Sequence, residues 1–101
     1  MRRKIVTICG SMRFWNQIQL LSEQLQLQQE FAVIGITPHV LDRDLTEQEK
    51  ALFGELHRAK IDVSDAIFVA NVGGYIGEST KGEIEYARAH GKEILYLESI
   101  R

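Results

Sequence analysis

The chain has one cysteine, Cys9, one proline, Pro38, and no apolar run approaching the roughly 20 residues of a membrane span. A lone cysteine excludes a disulfide framework and suits a reducing compartment. Excess charge is also missing. The formal net charge is -2 with an isoelectric point near 5.9, so nothing favours long-range attraction to nucleic acid or to an anionic membrane. An anionic ligand would need a local device, such as a helix N-terminus or one placed arginine. Two common phosphate motifs are absent as well. No G-x-G-x-x-G follows the first apolar run, and neither Gly77-Glu78-Ser79 nor Gly91-Lys92-Glu93 completes a P-loop. There are no repeats, linkers or low-complexity tracts.

What is present fits one domain spanning 1–101, since 101 residues leave no room for a second. Hydrophobic residues at 45% and charged residues at 26% place the chain among globular proteins. A domain of this size buries a modest core, so self-association would add burial. Met1-Arg2-Arg3-Lys4 resembles the start of a signal peptide. The apolar run after it, Ile5 to Cys9, is too short to continue one, and we expect a soluble, cytoplasmic protein.

Ile5-Val6-Thr7-Ile8-Cys9, bounded by Gly10, predicts a strand buried on both faces. Ser11 is placed to cap a helix on which Phe14, Ile18, Leu21 and Leu25 recur at helical spacing, with Gln17, Gln24 and Gln28 on a solvated face. Phe31 to Ile36 predicts a second strand, stopped by Thr37-Pro38. Thr46 and Glu49 form a capping box for a second helix with an apolar stripe of Leu52, Leu56, Ala59 and Val63. Ala66 to Val72 reads as a third buried strand. A third helix follows from about Ser79 to His90, with Gly91 at its end, and Glu93 to Glu98 is a last strand. The order βαβαβαβ with short connections predicts a three-layer α/β fold of Rossmann-like or flavodoxin-like type. Its open parallel sheet would have four to five strands in the order 2-1-3-4. Ligands of such sheets bind beyond the C-terminal strand ends, where the loops after the first and third strands lie.

Those two loops hold the chemistry. In Gly10-Ser11-Met12-Arg13 the glycine allows close backbone approach, the helix start offers free N–H groups, and Arg13 offers a fork suited to phosphate. A plain tight turn with Ser11 as cap is the other reading. Gly73 to Thr80 is glycine-rich, Tyr75 is placed to stack on a base or sugar, and Ser79 begins the next helix. Glu83 is the carboxylate aimed at the same end, although Thr80 and Glu83 also match a capping box. Glu85 lies about 200° around the helix from Glu83 and reads as a partner of Lys81 and Arg88. Asp65 reads as a cap or turn residue at the entry to the third strand. His39, His57 and His90 share no metal-ligand spacing with each other or with Cys9, so neither a metal nor another cofactor is expected. Cys9 has no base near it in sequence and reads as a buried strand-end residue.

Together, Cys9-Gly10-Ser11-Met12-Arg13 and the segment Ser79 to Ala87 resemble the nucleoside 2-deoxyribosyltransferase family, and most closely its deoxynucleoside 5′-monophosphate N-glycosidases. The first segment is similar to a C-G-S-[I/M]-R opening, and the second to an S-x-x-x-E-[I/L]-G-x-A helix. The resemblance implies that Glu83 attacks the anomeric carbon of a 2-deoxyribose. It implies that Gly10, Ser11, Met12 and Arg13 cradle a 5′-phosphate, with Gly77 and Ser79 at a further phosphate or sugar contact. It also implies a dimer or larger assembly. Where the family carries an aspartate on the helix before the third strand, this chain has His57. Asp62 is the nearest carboxylate, more than a turn away, and either residue would be the proton donor. Glu85 replaces the glycine that follows E-[I/L]. The functions that follow are an enzyme cleaving or transferring the N-glycosidic bond of 2′-deoxynucleosides or their 5′-monophosphates, or a non-catalytic nucleotide-binding module of the same fold. Either way the partner is a small-molecule nucleotide or nucleoside.

Overall fold

In a computed structural model of the chain, residues 2–99 are described; Met1, Ile100 and Arg101, included in the single-domain reading, lie outside the described residues. Four strands, β1 (Ile5–Cys9), β2 (Ala32–Ile34), β3 (Ala66–Val69) and β4 (Glu93–Tyr96), form one parallel sheet in the order β2-β1-β3-β4. Three helices, α1 (Trp15–Gln29), α2 (Glu47–Asp62) and α3 (Glu78–Ala89), connect them. The predicted α/β architecture and strand order are therefore present, with four strands among the described residues. No helix of the described residues is long and apolar enough to cross a membrane.

Alternation along the strands sorts the core into two layers. Ile8 and Ala70, with Phe68 partly buried, pack against Ile18, Leu21 and Leu25 of α1 on one face. Cys9, Ile67 and Val69 pack against Ile61 of α2 and Ile84 and Ala87 of α3 on the other. Each such aliphatic side chain taken fully out of water contributes roughly 1.5–3 kcal/mol. The central strands β1 and β3 are buried on both faces, which is why their sequences are apolar without alternation apart from the hydrogen-bonded Thr7.

Several elements differ from the prediction in extent. β2 covers Ala32–Ile34 rather than Phe31–Ile36, because this edge strand has one neighbour and its pairing with β1 is confined to Ile5↔Ala32 through Thr7↔Ile34. β4 ends at Tyr96 rather than Glu98. Ser11 caps a short 3-10 turn, Met12–Phe14, and α1 itself begins only at Trp15. The Thr46–Glu49 capping box of α2 has both halves in place: Glu49 N–H donates to Thr46 Oγ1 at 3.1 Å and Thr46 N–H to Glu49 Oε1 at 2.9 Å. Such a cap contributes about 1 kcal/mol.

The stripe expected to face the core from α2 does not do so. Leu52, Leu56 and Val63 are 51%, 48% and 64% exposed, and Ile61 is the buried residue of the helix. The roll of α2 is set by contacts off that stripe. Ile61 inserts between α3 and the sheet, and Ser64, just past the helix, shares a 2.6 Å hydroxyl bond with the buried Thr7 of β1. Thr7 Oγ1 also donates to the Lys60 carbonyl at 3.2 Å. Since 57, 61 and 64 share one helical face, seating Ile61 and Ser64 turns His57 inward as well.

The start of α3 also differs. Gly77 is its N-cap and Glu78 its first residue, with no side-chain cap bond. Thr80 is buried within the helix, so the Thr80–Glu83 capping box is not formed and Glu83 lies in the second turn. Lys81 pairs with Glu78 at 3.1 Å rather than with Glu85. At the other end Gly91, at φ +70°, makes a Schellman turn in which Lys92 N–H reaches the Ala87 carbonyl at 2.9 Å and Gly91 N–H the Arg88 carbonyl at 3.1 Å. Asp65 differs from the local cap or turn residue expected: its carboxylate reaches across the fold, accepting the Ile5 N–H at 2.8 Å and pairing with Arg2.

Candidate active site

The C-terminal ends of the strands open onto a cavity of about 710 Å³. The loop after β1 contributes Gly10 and Met12, the segment after β2 contributes Pro38 and His39, α2 contributes His57, and α3 contributes Ser79 and Glu83. This is the position that the parallel topology assigns to a ligand. A smaller hollow of about 440 Å³ lies against α1 and the Gly35–Ile36 exit of β2, and no residue of the two sequence motifs lines it.

The residues singled out from sequence divide into three groups. Gly10, Met12, His57, Ser79 and Glu83 line the cavity. Ser11, Arg13 and Gly77 flank it without lining it. Asp62 is outside: it is exposed near the end of α2, and its carboxylate accepts a 2.6 Å hydrogen bond from the Tyr86 hydroxyl. Its displacement is helical geometry, since five residues past His57 lie more than a turn further along the axis.

Around the cavity mouth the two loops meet. The Arg13 guanidinium stands 4.2 Å over the Tyr75 ring, and Phe14 meets the same ring edge-on at 5.9 Å. Tyr75 is thus occupied by protein and folds back over Gly77, where its hydroxyl stands 3.3 Å from the site of a Cβ. Ser11 Oγ accepts the Arg13 N–H at 3.3 Å. Gly10 has a packing reason of its own. A Cβ there would stand 3.1 Å from the Ala70 Cβ and 3.4 Å from Ile18 Cδ1, closer than comfortable contact. The glycine-rich segment after β3 is tied down as well. Asn71, fully buried, donates to the Glu98 carbonyl at 2.8 Å and accepts the Glu98 N–H at 2.9 Å, and the Glu98 carboxylate accepts the Gly73 N–H at 2.5 Å.

The cavity floor holds a group that spacing could not show. His57 Nε2 is 3.3 Å from Cys9 Sγ and 3.6 Å from Glu83 Oε1. Cys9, expected to have no base near it, therefore has an imidazole in contact. The two residues are 48 apart in sequence, and only the parallel crossover and the roll of α2 join them. His39 was likewise not singled out for the site and lines the cavity from the segment after β2.

Burial dominates the electrostatics here. It pushes the Glu83 carboxyl up from 4.5 to about 7, opposed by the nearby Cys9 thiol and by the charge of Arg58. Burial and the charge of Lys60 push His57 down from 6.5 to about 4. The Cys9 thiol is raised far above its usual range by burial and then by the neighbouring Glu83 charge. Burial thus favours the neutral imidazole, and in that form its 3.6 Å approach to Glu83 is a contact rather than an ion pair. The carboxyl is poised between its two forms, and the thiol keeps its proton. The downward shift of His57 depletes the imidazolium that an acid role would draw on, while His57 stays in the cavity beside Glu83.

Comparison with family models, with curated proteins and with solved structures gives no match for this chain.

Proposed function

We propose that the chain cleaves or transfers the N-glycosidic bond of 2′-deoxynucleosides or their 5′-monophosphates, with Glu83 as the nucleophile. The observation that carries this reading is a largely buried carboxylate on the floor of a nucleotide-sized cavity at the C-terminal strand ends. In the first step a Glu83 oxygen bonds to C1′ as the C1′–N bond breaks, and the electron pair leaves on the base, which takes a proton. Water, or a second base, then displaces the carboxylate from C1′. The low-dielectric floor raises the free energy of the bare carboxylate, and the positive charge developing on the sugar relieves that cost. The α3 N-terminus has no side-chain cap, so its first N–H groups, beside Ser79, are left for an anionic group of the substrate. Asp62 lies outside the cavity, so the proton for the departing base comes from His57, His39 or water.

The test is to incubate chelator-treated protein with 2′-deoxynucleosides and their 5′-monophosphates and to separate free base chromatographically. The nucleophile must be ionised, so kcat/KM is expected to rise with pH through a midpoint near 7 rather than near 4.5. A limb at the ordinary glutamate value would remove Glu83 from the role. The position of Asp62 outside the cavity favours a second reading, a module that binds nucleotides without cleaving them. Saturable nucleotide binding with no base released at any pH would select it. Self-association belongs to the same proposal: the exposed Leu52, with Phe53 and Leu56 at the wall of the cavity, gives a second copy an apolar surface to cover. Sedimentation at micromolar concentration is expected to show a dimer or larger species, and a monomer there would remove this part.

A further inference from the structure

Three donor atoms converge at the cavity floor from three rigid elements: Cys9 Sγ from the end of β1, His57 Nε2 from α2 and Glu83 Oε1 from α3. The sulfur–nitrogen distance is 3.3 Å, the nitrogen–oxygen distance is 3.6 Å, and all three ligand atoms lie within 4.8 Å of one another. Donors bound at zinc-ligand lengths of about 2.0–2.3 Å and tetrahedral angles stand about 3.3–3.6 Å apart. Two of the three edges of such a site are therefore already at bonding separation. The third edge, between Cys9 Sγ and the Glu83 carboxylate, is within 4.8 Å.

The donor chemistry narrows the ion. Sulfur, imidazole nitrogen and one carboxylate oxygen suit a borderline-soft cation, whereas magnesium and calcium call for oxygen shells. Backbone order holds the sulfur in place, since the Cys9 carbonyl accepts the Ala70 N–H at 2.8 Å in the middle of the sheet. His57 and Glu83 line the cavity, so the fourth side of the group faces open space, as in zinc sites that keep an exchangeable position.

We propose that Cys9, His57 and Glu83 form a three-ligand site for a thiophilic divalent cation, zinc foremost, with its fourth position open to the cavity. Binding releases the Cys9 proton; the charge of the ion reverses the electrostatic penalty that burial imposes on the thiolate. The site goes beyond the glycosidase reading. If that reading holds, the ion takes the lone pairs that Glu83 needs for attack, and zinc is a reversible inhibitor.

The experiment uses the full chain stripped of metal and titrated with zinc alone by calorimetry, then with cobalt(II) followed by absorption. One zinc per chain at micromolar or tighter affinity is expected, together with a thiolate-to-cobalt charge-transfer band. Cys9→Ser and His57→Gln, each checked for native circular dichroism, are expected to weaken zinc binding by at least about tenfold, and Cys9→Ser to remove the band. If Cys9→Ser does not fold, His57→Gln and the band in the parent protein decide. No saturable binding, binding that neither variant changes, or a cobalt complex without the band would overturn the site. Base release is assayed separately in chelator. Zinc binding without base release rejects the glycosidase reading and keeps the site; base release without zinc binding does the reverse.

Discussion

Replacing Glu83 with Gln is expected to abolish base release and, above pH 7, to make the fold more stable. The activity term is the larger. Gln keeps the shape of the side chain and loses the nucleophile, so turnover should fall by about 10³-fold or more, as when a nucleophile is removed from other covalent catalysts. The stability term follows from linkage. The folded-state carboxyl is raised from 4.5 to about 7, so its contribution to stability is fully present below the unfolded value and is lost as pH rises through about 7. At pH 8 the parent chain holds a largely buried charge with no cation in contact; at pH 5 it does not. A shift of this size corresponds to about 1–3 kcal/mol once partial solvation is allowed for. That is a rise in Tm of roughly 5–15 °C for a domain this small. The measurement is Tm of both proteins at pH 5 and pH 8. The difference should be near zero at the lower pH and favour the variant at the higher. A variant less stable than the parent at pH 8 would show the carboxylate to be well partnered, contrary to the structure.

The second large effect is structural. Asn71→Ala is expected to cost about 2–3 kcal/mol, because it removes two hydrogen bonds from a fully buried side chain to the Glu98 backbone. Denaturant titration should show a lower midpoint at an unchanged m-value. Asn71→Asp keeps the acceptor for the Glu98 N–H but loses the donor and turns an anion toward a carbonyl, so it should cost at least as much. If both variants unfold with the parent, the clasp contributes nothing and the loop after β3 is held by other contacts. Glu98 also accepts the Gly73 N–H, so loosening the clasp frees the segment leading to Tyr75, and ligand affinity should fall in step.

The central strands were legible because β1 and β3 are buried on both faces and carry apolar runs broken only by Thr7. Thr46 with Glu49 announced the start of α2 through a motif whose two halves are adjacent in the chain. The facing of α2 was not legible. Its strongest apolar periodicity, Leu52–Leu56–Ala59–Val63, points to solvent, while Ile61 and Ser64 set the roll through contacts with α3, the sheet and Thr7. A pattern reading cannot weigh one buried isoleucine and a hydroxyl pair against four exposed apolar residues. For the same reason Cys9 beside His57 was out of reach, because no local spacing records a meeting of two crossovers. Thr80 and Glu83 erred the other way. They match a capping box that α3 does not use, since the helix begins earlier, at Glu78.

The strand order has a kinetic consequence. β1 is made first but lies inside the sheet, and the Ile5 N–H reaches its acceptor on Asp65 across 60 residues of chain. No strand of this sheet can pair with a neighbour through a hairpin, so every ladder must wait for a helical crossover to close a long loop. Folding should therefore be slow for the length of the chain, with β1–β3 docking as its entropic bottleneck. Cys9 ends the first strand of that closure, His57 lies in the crossover it closes, and Glu83 lies beyond the second strand. Ligand or zinc binding should thus be gained only with the final cooperative step of refolding, and no collapsed intermediate should show either.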